Sequence, residues 1–151
     1  LGTTLSRKYL HKPAQGILTP PVWLHLAPLG VIPVSLMNLL EQLPFPAARE
    51  AATVLMLLVW GFGVWWLVMA ILLTLAARAA GQLPFALSWW GFTFPVGALV
   101  AESLRLSKLL GWSSPLAIGV AAWLLLWCFW LITLNKTLRG VISGAIFKPH
   151  P

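Results

Sequence analysis

The chain has 151 residues, 60% of them hydrophobic and 9% charged, with a mean hydropathy of +0.88 and a formal net charge of +7. A water-soluble domain has no surface to spare for that much apolar area, so composition excludes one and implies an integral membrane protein. The positive charge does not imply a nucleic-acid partner, because the basic residues border the apolar stretches and form no dense run.

Residues 1–19 open with LGTTLSRKYLHKPAQG, where Lys12, Pro13 and Gly16 end a short helix-compatible run. This stretch reads as the tail of an earlier span and a cytoplasmic loop. With no Met at position 1 and no signal-peptide pattern, the chain is expected to be the C-terminal piece of something longer. A bilayer core needs roughly 20 apolar residues per helical span, and residues 20–151 supply four such stretches, at about 20–40, 51–76, 86–106 and 115–135. The fold class is therefore all-α, a polytopic membrane helix bundle.

The first span contains Pro28, Gly30 and Pro33, and predicts a kinked helix, since each proline removes a backbone donor and crowds the preceding turn. Such breaks are tolerated in a membrane only beside protein or a water-filled cavity, so this span should face the bundle interior. The second span, proline-free and apolar on every face, should be regular and touch lipid. The third opens with WWGFTFP (residues 89–95), with a further kink expected at Pro95, and continues through Gly97, Ala98 and Ala101 to Arg105. The fourth begins at Pro115 and is again apolar all round. Kinked inner helices thus alternate with regular outer ones. An even number of spans puts both ends on one side, and the Lys and Arg distribution names it. Arg7, Lys8, Lys12, Arg78, Lys136, Arg139 and Lys148 flank one side, against Arg49, Arg105 and Lys108 on the other, so both termini are expected in the cytoplasm.

About 100° per residue places Trp90 or Gly91, Gly97 or Ala98, Ala101 and Arg105 on the face of Phe94. A bulky ring, several small residues and a cation along one face suit an anion conduit, and the same small residues suit close helix packing. Both readings stand on the residues alone. The stretch PFALSWWGFTFPVGALVAESLRLSKLLG resembles the tellurite-resistance and dicarboxylate transporter family, which includes TehA, the plant slow anion channels, and the malate and sulfite transporters; the resemblance continues more weakly through LAPLGV of the first span. It implies that the four spans match the last four of ten, in a homotrimer whose subunits each carry a pore among odd-numbered helices. It also implies that Phe94, the second phenylalanine of the motif, plugs that pore, while Phe92 packs on another face.

His25, inside the first span, is either a pore-lining group or a neutral ring bonded to a carbonyl near the kink. Glu102 and Arg105 at i, i+3 suggest a local ion pair near the outer surface. Trp123, Trp127 and Trp130 form a stripe read as packing or lipid contact, and Trp89, Trp90 and Trp112 fall where indoles anchor at headgroups. Cys128 is the single cysteine, excluding an internal disulfide, and Glu41, Glu50 and Glu102 are the only acids. Without a nucleotide-binding loop, nucleophile elbow, metal motif or paired carboxylates, neither an enzyme nor a cofactor or metal is expected. The expected function is transport of small anions, inorganic or C4-dicarboxylate, across a bacterial inner membrane, with lipid and the preceding spans of the same protein as partners. The alternatives are a four-span structural or assembly protein and a small multidrug exporter.

Overall fold

The computed structural model describes residues 22–81 and 85–144. The expectations for Arg7, Lys8, Lys12, Pro13, Gly16 and Lys148 lie outside the described residues. The described residues form four α-helices, α1 (Leu26–Glu41), α2 (Pro46–Ala79), α3 (Thr93–Leu110) and α4 (Ser113–Ile142), with a 3-10 segment at Leu87–Phe92 leading into α3.

Among the described residues, only α2 (34 residues) and α4 (30 residues) are by themselves long and apolar enough to cross a bilayer. The inner helices are shorter: α1 has 16 residues and α3 has 18. At 1.5 Å per residue, α1 covers roughly 24 Å, less than a bilayer core of about 30 Å. Each inner helix follows a break from α geometry, the turn at Leu24–His25 before α1 and the 3-10 segment before α3.

The proline positions explain why the helices begin where they do. Pro46 opens α2, and Pro28, Pro95 and Pro115 are each the third residue of their helix. The first-turn N–H groups have no intrahelical acceptor, so a residue lacking one costs nothing there. This corrects the expectation of kinks at Pro28 and Pro95: both lie in a first turn, and the departure from α geometry lies just upstream of each. Pro33 does lie inside α1, where it leaves the Leu29 carbonyl without its usual donor.

The layering follows burial. On α3, Pro95, Val96, Ala98, Leu99, Val100, Glu102, Ser103 and Leu106 are buried, spread over most of its circumference, and it packs against α1, α2 and α4. The outer helices bury one stripe each, Ala52, Met56, Gly63, Leu67 and Ala70 on α2 and Pro115, Gly119, Ala122 and Thr133 on α4. Their remaining circumference is apolar and exposed, as expected for lipid-facing surface. Trp123, Trp127 and Trp130 belong to this exterior and touch only edge to face, at centroid distances of 6.1 and 5.6 Å.

Close approach is obtained with glycine. A Cβ on Gly30 of α1 would lie 2.5 Å from the carbonyl carbon of Ala98 on α3, and one on Gly119 of α4 would lie 3.0 Å from the Ser103 Cβ. With no hydrophobic force to drive helices together in lipid, such contacts supply the dispersion energy that holds them. Polar ties add direction. Trp60 Nε1 donates to Ser103 Oγ at 2.9 Å, Trp66 Nε1 to the Val22 carbonyl at 3.1 Å, and Trp23 Nε1 to Thr74 Oγ1 at 2.9 Å. Three indoles therefore pin α2 to the inner layer while satisfying their own N–H groups.

The α1–α2 turn is closed by Arg49, which donates from Nε to the Leu40 carbonyl at 2.9 Å and from Nη2 to the carbonyls of Glu41 at 3.2 Å and Leu43 at 2.6 Å. A cation there satisfies the free carbonyls at a helix C-terminus and complements its partial negative charge. At the end of α3, Gly111 takes φ +69, a conformation that favours glycine, and its N–H returns to the Ser107 carbonyl at 2.9 Å.

Candidate functional site

The two phenylalanines of WWGFTFP are separated completely by the fold. Phe92 is 1% exposed and Phe94 is 64% exposed. Phe92 ends the 3-10 segment and sits in an aromatic cluster, edge to face with Trp23 at 5.3 Å and Trp89 at 5.7 Å and stacked on Phe129 at 5.0 Å. Each such pair contributes about 0.5–1.5 kcal/mol beyond its area. Thr93 Oγ1 donates to the Trp90 carbonyl at 2.7 Å, fixing the step from 3-10 to α geometry between the two rings.

The Phe94 face is identified by what lies behind it. Ser103, bonded to Trp60 of α2, is nine residues after Phe94 and hence about 180° round the helix. Phe94 therefore points away from α2, on the open side of the α1–α3 pair. Ala101 is exposed on the same side, and Trp90 and Gly97 are partly exposed; a Cβ on Gly97 would meet only Leu126 Cδ2, at 3.9 Å. Gly91, in the 3-10 segment, is half-buried.

Ala98, Arg105 and Glu102 are placed differently from the sequence expectation, and His25 takes the second of its two readings, a ring bonded to a backbone carbonyl. Ala98 is buried under Gly30 and belongs to the α1–α3 contact instead of the open face. The wheel allowed either Gly97 or Ala98, and the backbone approach at Gly30 decides it. His25 stacks obliquely on Trp66 of α2 at 5.2 Å, and its Nδ1–H donates to the Val22 carbonyl at 3.2 Å. It thus leans to the α2 side, opposite Phe94. Arg105 does not pair with Glu102. It reaches across to Glu41 at the end of α1, so the cation on the Phe94 face carries its own counter-ion. Glu102 is fully buried, with neither carboxyl oxygen hydrogen-bonded among the described residues. At i, i+3 it was placed near the surface, but packing of α1 and α2 over that side of α3 encloses it.

Asn38 was not singled out from sequence. Leu29 of α1 faces Gly63 of α2, where an added Cβ would lie 3.9 Å from the Leu29 Cβ, and Asn38, nine residues later, is turned about 180° away and is exposed. The open side of the inner pair therefore carries Phe94 near the start of α3, small residues in the middle, and Asn38 with the Arg105–Glu41 pair at the other end. An unexplained exposed amide on a helix this apolar was the available signal.

A family model for voltage-dependent anion channels, SLAC1, matches residues 1–138. The chain belongs to this family. It is 40% identical over 150 residues to the uncharacterized transporter MJ0576 of Methanocaldococcus jannaschii, an alignment covering 99% of this chain and 43% of the relative. It is 38% identical over 148 residues to a second transporter of that organism, MJ0762, covering 98% and 43%. It is 28% identical over 94 residues to the sulfite efflux pump SSU1 of Trichophyton rubrum, covering 61% of this chain and 24% of that protein. No solved structure matches. The chain thus spans less than half the length of the transporters that it matches most fully. The family agrees with the resemblance carried by WWGFTFP, and the all-α bundle with two long apolar helices is consistent with an integral membrane protein.

Proposed function

We propose that this chain is the pore-bearing part of a small-anion transporter and that Phe94 is the plug of its pore. The observation that carries the reading is the open side of the inner helix pair. A phenyl ring stands exposed beside Gly97 and Ala101, whereas most of α3 around it is packed. In the complete protein this face is covered by further spans, which together with α1 and α3 enclose the conduit, one per subunit of a homotrimer. An apolar ring across a narrow passage blocks ions by excluding the water that would carry them. The mouth at the far end is polar and nearly charge-balanced, through Asn38 and the Arg105–Glu41 pair. Discrimination among anions then arises from width and dehydration, without a strongly cationic cage.

Inorganic anions, sulfite among them, and C4-dicarboxylates are the substrate classes that this passage fits. The protein lies in the inner or plasma membrane, with the end bearing Arg78, Lys136 and Arg139 in the cytoplasm, where basic residues concentrate. The test is anion-substitution current and flux in the full-length protein reconstituted in liposomes. Phe94→Ala is expected to raise anion flux by about tenfold or more, a barrier change of roughly 1.4 kcal/mol. Phe94→Trp should keep it closed. Unchanged flux in a folded Phe94→Ala protein would remove the plug.

A further inference from the structure

A second site lies behind Phe92, on the other side of the motif from the open face. A cavity of about 430 Å³ sits between the C-terminal halves of α2 and α4, floored by Trp23, Trp89, Phe92 and Phe129. That volume falls in the range of small-molecule sites. Leu75 and Ile132, 55% and 46% exposed, form part of its wall, so it opens between the two helices whose outer surfaces face lipid. Arg78, in the last turn of α2, and Lys136 of α4 also line it. The Lys136 ammonium is held over the Trp89 ring at 4.4 Å and the Phe85 ring at 5.6 Å.

No acidic side chain of this chain answers these cations. The only three acids in the chain are Glu41, Glu50 and Glu102. Glu41 is paired with Arg105 at the other end of the bundle, and Glu102 is enclosed in the core. Glu50 lies near the start of α2, 28 residues and roughly 42 Å along the helix from Arg78. An aromatic cleft between two lipid-facing helices, with two cations at its charged end that no carboxylate of this chain matches, fits an amphiphile with an apolar chain and an anionic head.

We infer that this cleft is a binding site for an anionic phospholipid, its phosphate between Arg78 and Lys136 and an acyl chain laid along Ile132 and Leu125 onto the aromatic floor. Basic pockets between transmembrane helices at a membrane surface recognise anionic headgroups in this way. The apolar cleft alone would accept any lipid; the cations select the charge. The site is separate from the Phe94 face, and its occupancy does not depend on whether Phe94 gates a pore.

The experiment is native mass spectrometry of the full-length protein, titrated with phosphatidylglycerol and with phosphatidylcholine of identical chains. Wild type is expected to retain phosphatidylglycerol about tenfold more strongly, given the attraction contributed by each basic residue near a membrane surface. The double variant Arg78→Gln, Lys136→Gln should lose the preference, and Ile132→Trp, which fills the cleft without changing charge, should weaken retention of both lipids. Lys108→Gln, at the opposite end, should leave the preference intact. Equal retention of the two lipids by wild type would overturn the site, as would a preference that survives in the double variant.

Discussion

The start of α1 and the start of α3 are built on one local plan and used in opposite ways. Each follows an irregular lead-in, carries proline as its third residue (Pro28, Pro95) and glycine two residues later (Gly30, Gly97). Gly30 is pressed onto the backbone of Ala98, with 2.5 Å left for a Cβ, whereas a Cβ on Gly97 would reach only one leucine methyl at 3.9 Å. At the third residue the contrast is reversed: Pro28 is exposed and Pro95 buried. The same device therefore makes a helix contact in one copy and an open face in the other. Local sequence sets where the helix begins, and the neighbour decides what the beginning is for.

The comparison is broken most forcefully at Gly30. Gly30→Ala should cost roughly 3 kcal/mol or more, because the added methyl meets backbone that cannot move aside. Loss of folded protein in a detergent thermal-shift assay, with no loss for Gly97→Ala, is the expected pair of results. Next is the contrast within the motif. Phe92→Ala should lower stability by about 3 kcal/mol through a cavity among Trp23, Trp89 and Phe129. Phe94→Ala should change stability by less than about 0.5 kcal/mol, as expected for an exposed side chain. Equal destabilisation by the two would contradict the separation of the rings.

Arg49→Ala should cost about 1.5–3 kcal/mol by removing three charge-assisted hydrogen bonds at the α1–α2 turn, two of them to carbonyls of Glu41 and Leu43 and one to Leu40, whose carbonyl also accepts from the Leu43 N–H, with Arg49→Lys recovering only part of it. Gly97→Ala is expected to stabilise by roughly 0.5–1 kcal/mol, the helix-propensity gain at a position with room for a methyl. The smallest effect belongs to the Arg105–Glu41 pair. Both side chains are partly exposed, so Glu41→Gln should change stability by less than about 1 kcal/mol, and the change should shrink in high salt.

The sequence by itself determined that this is an all-α membrane protein, and it gave the order of irregular inner and regular outer helices and the family. Length and charge are enough for the first, proline and glycine spacing for the second, and one dense aromatic motif for the third. Tertiary structure decided which faces meet. It put Ala98 under Gly30, turned His25 onto Trp66, gave Arg105 to Glu41, closed Glu102 into the core and exposed Asn38. The reason is the solvent. In a bilayer, residues facing lipid and residues facing a neighbouring helix are equally apolar, so the periodic contrast that marks a buried face in water is missing. Only close approach of one backbone to another distinguishes the two, and that is a property of a pair of helices, not of either sequence alone.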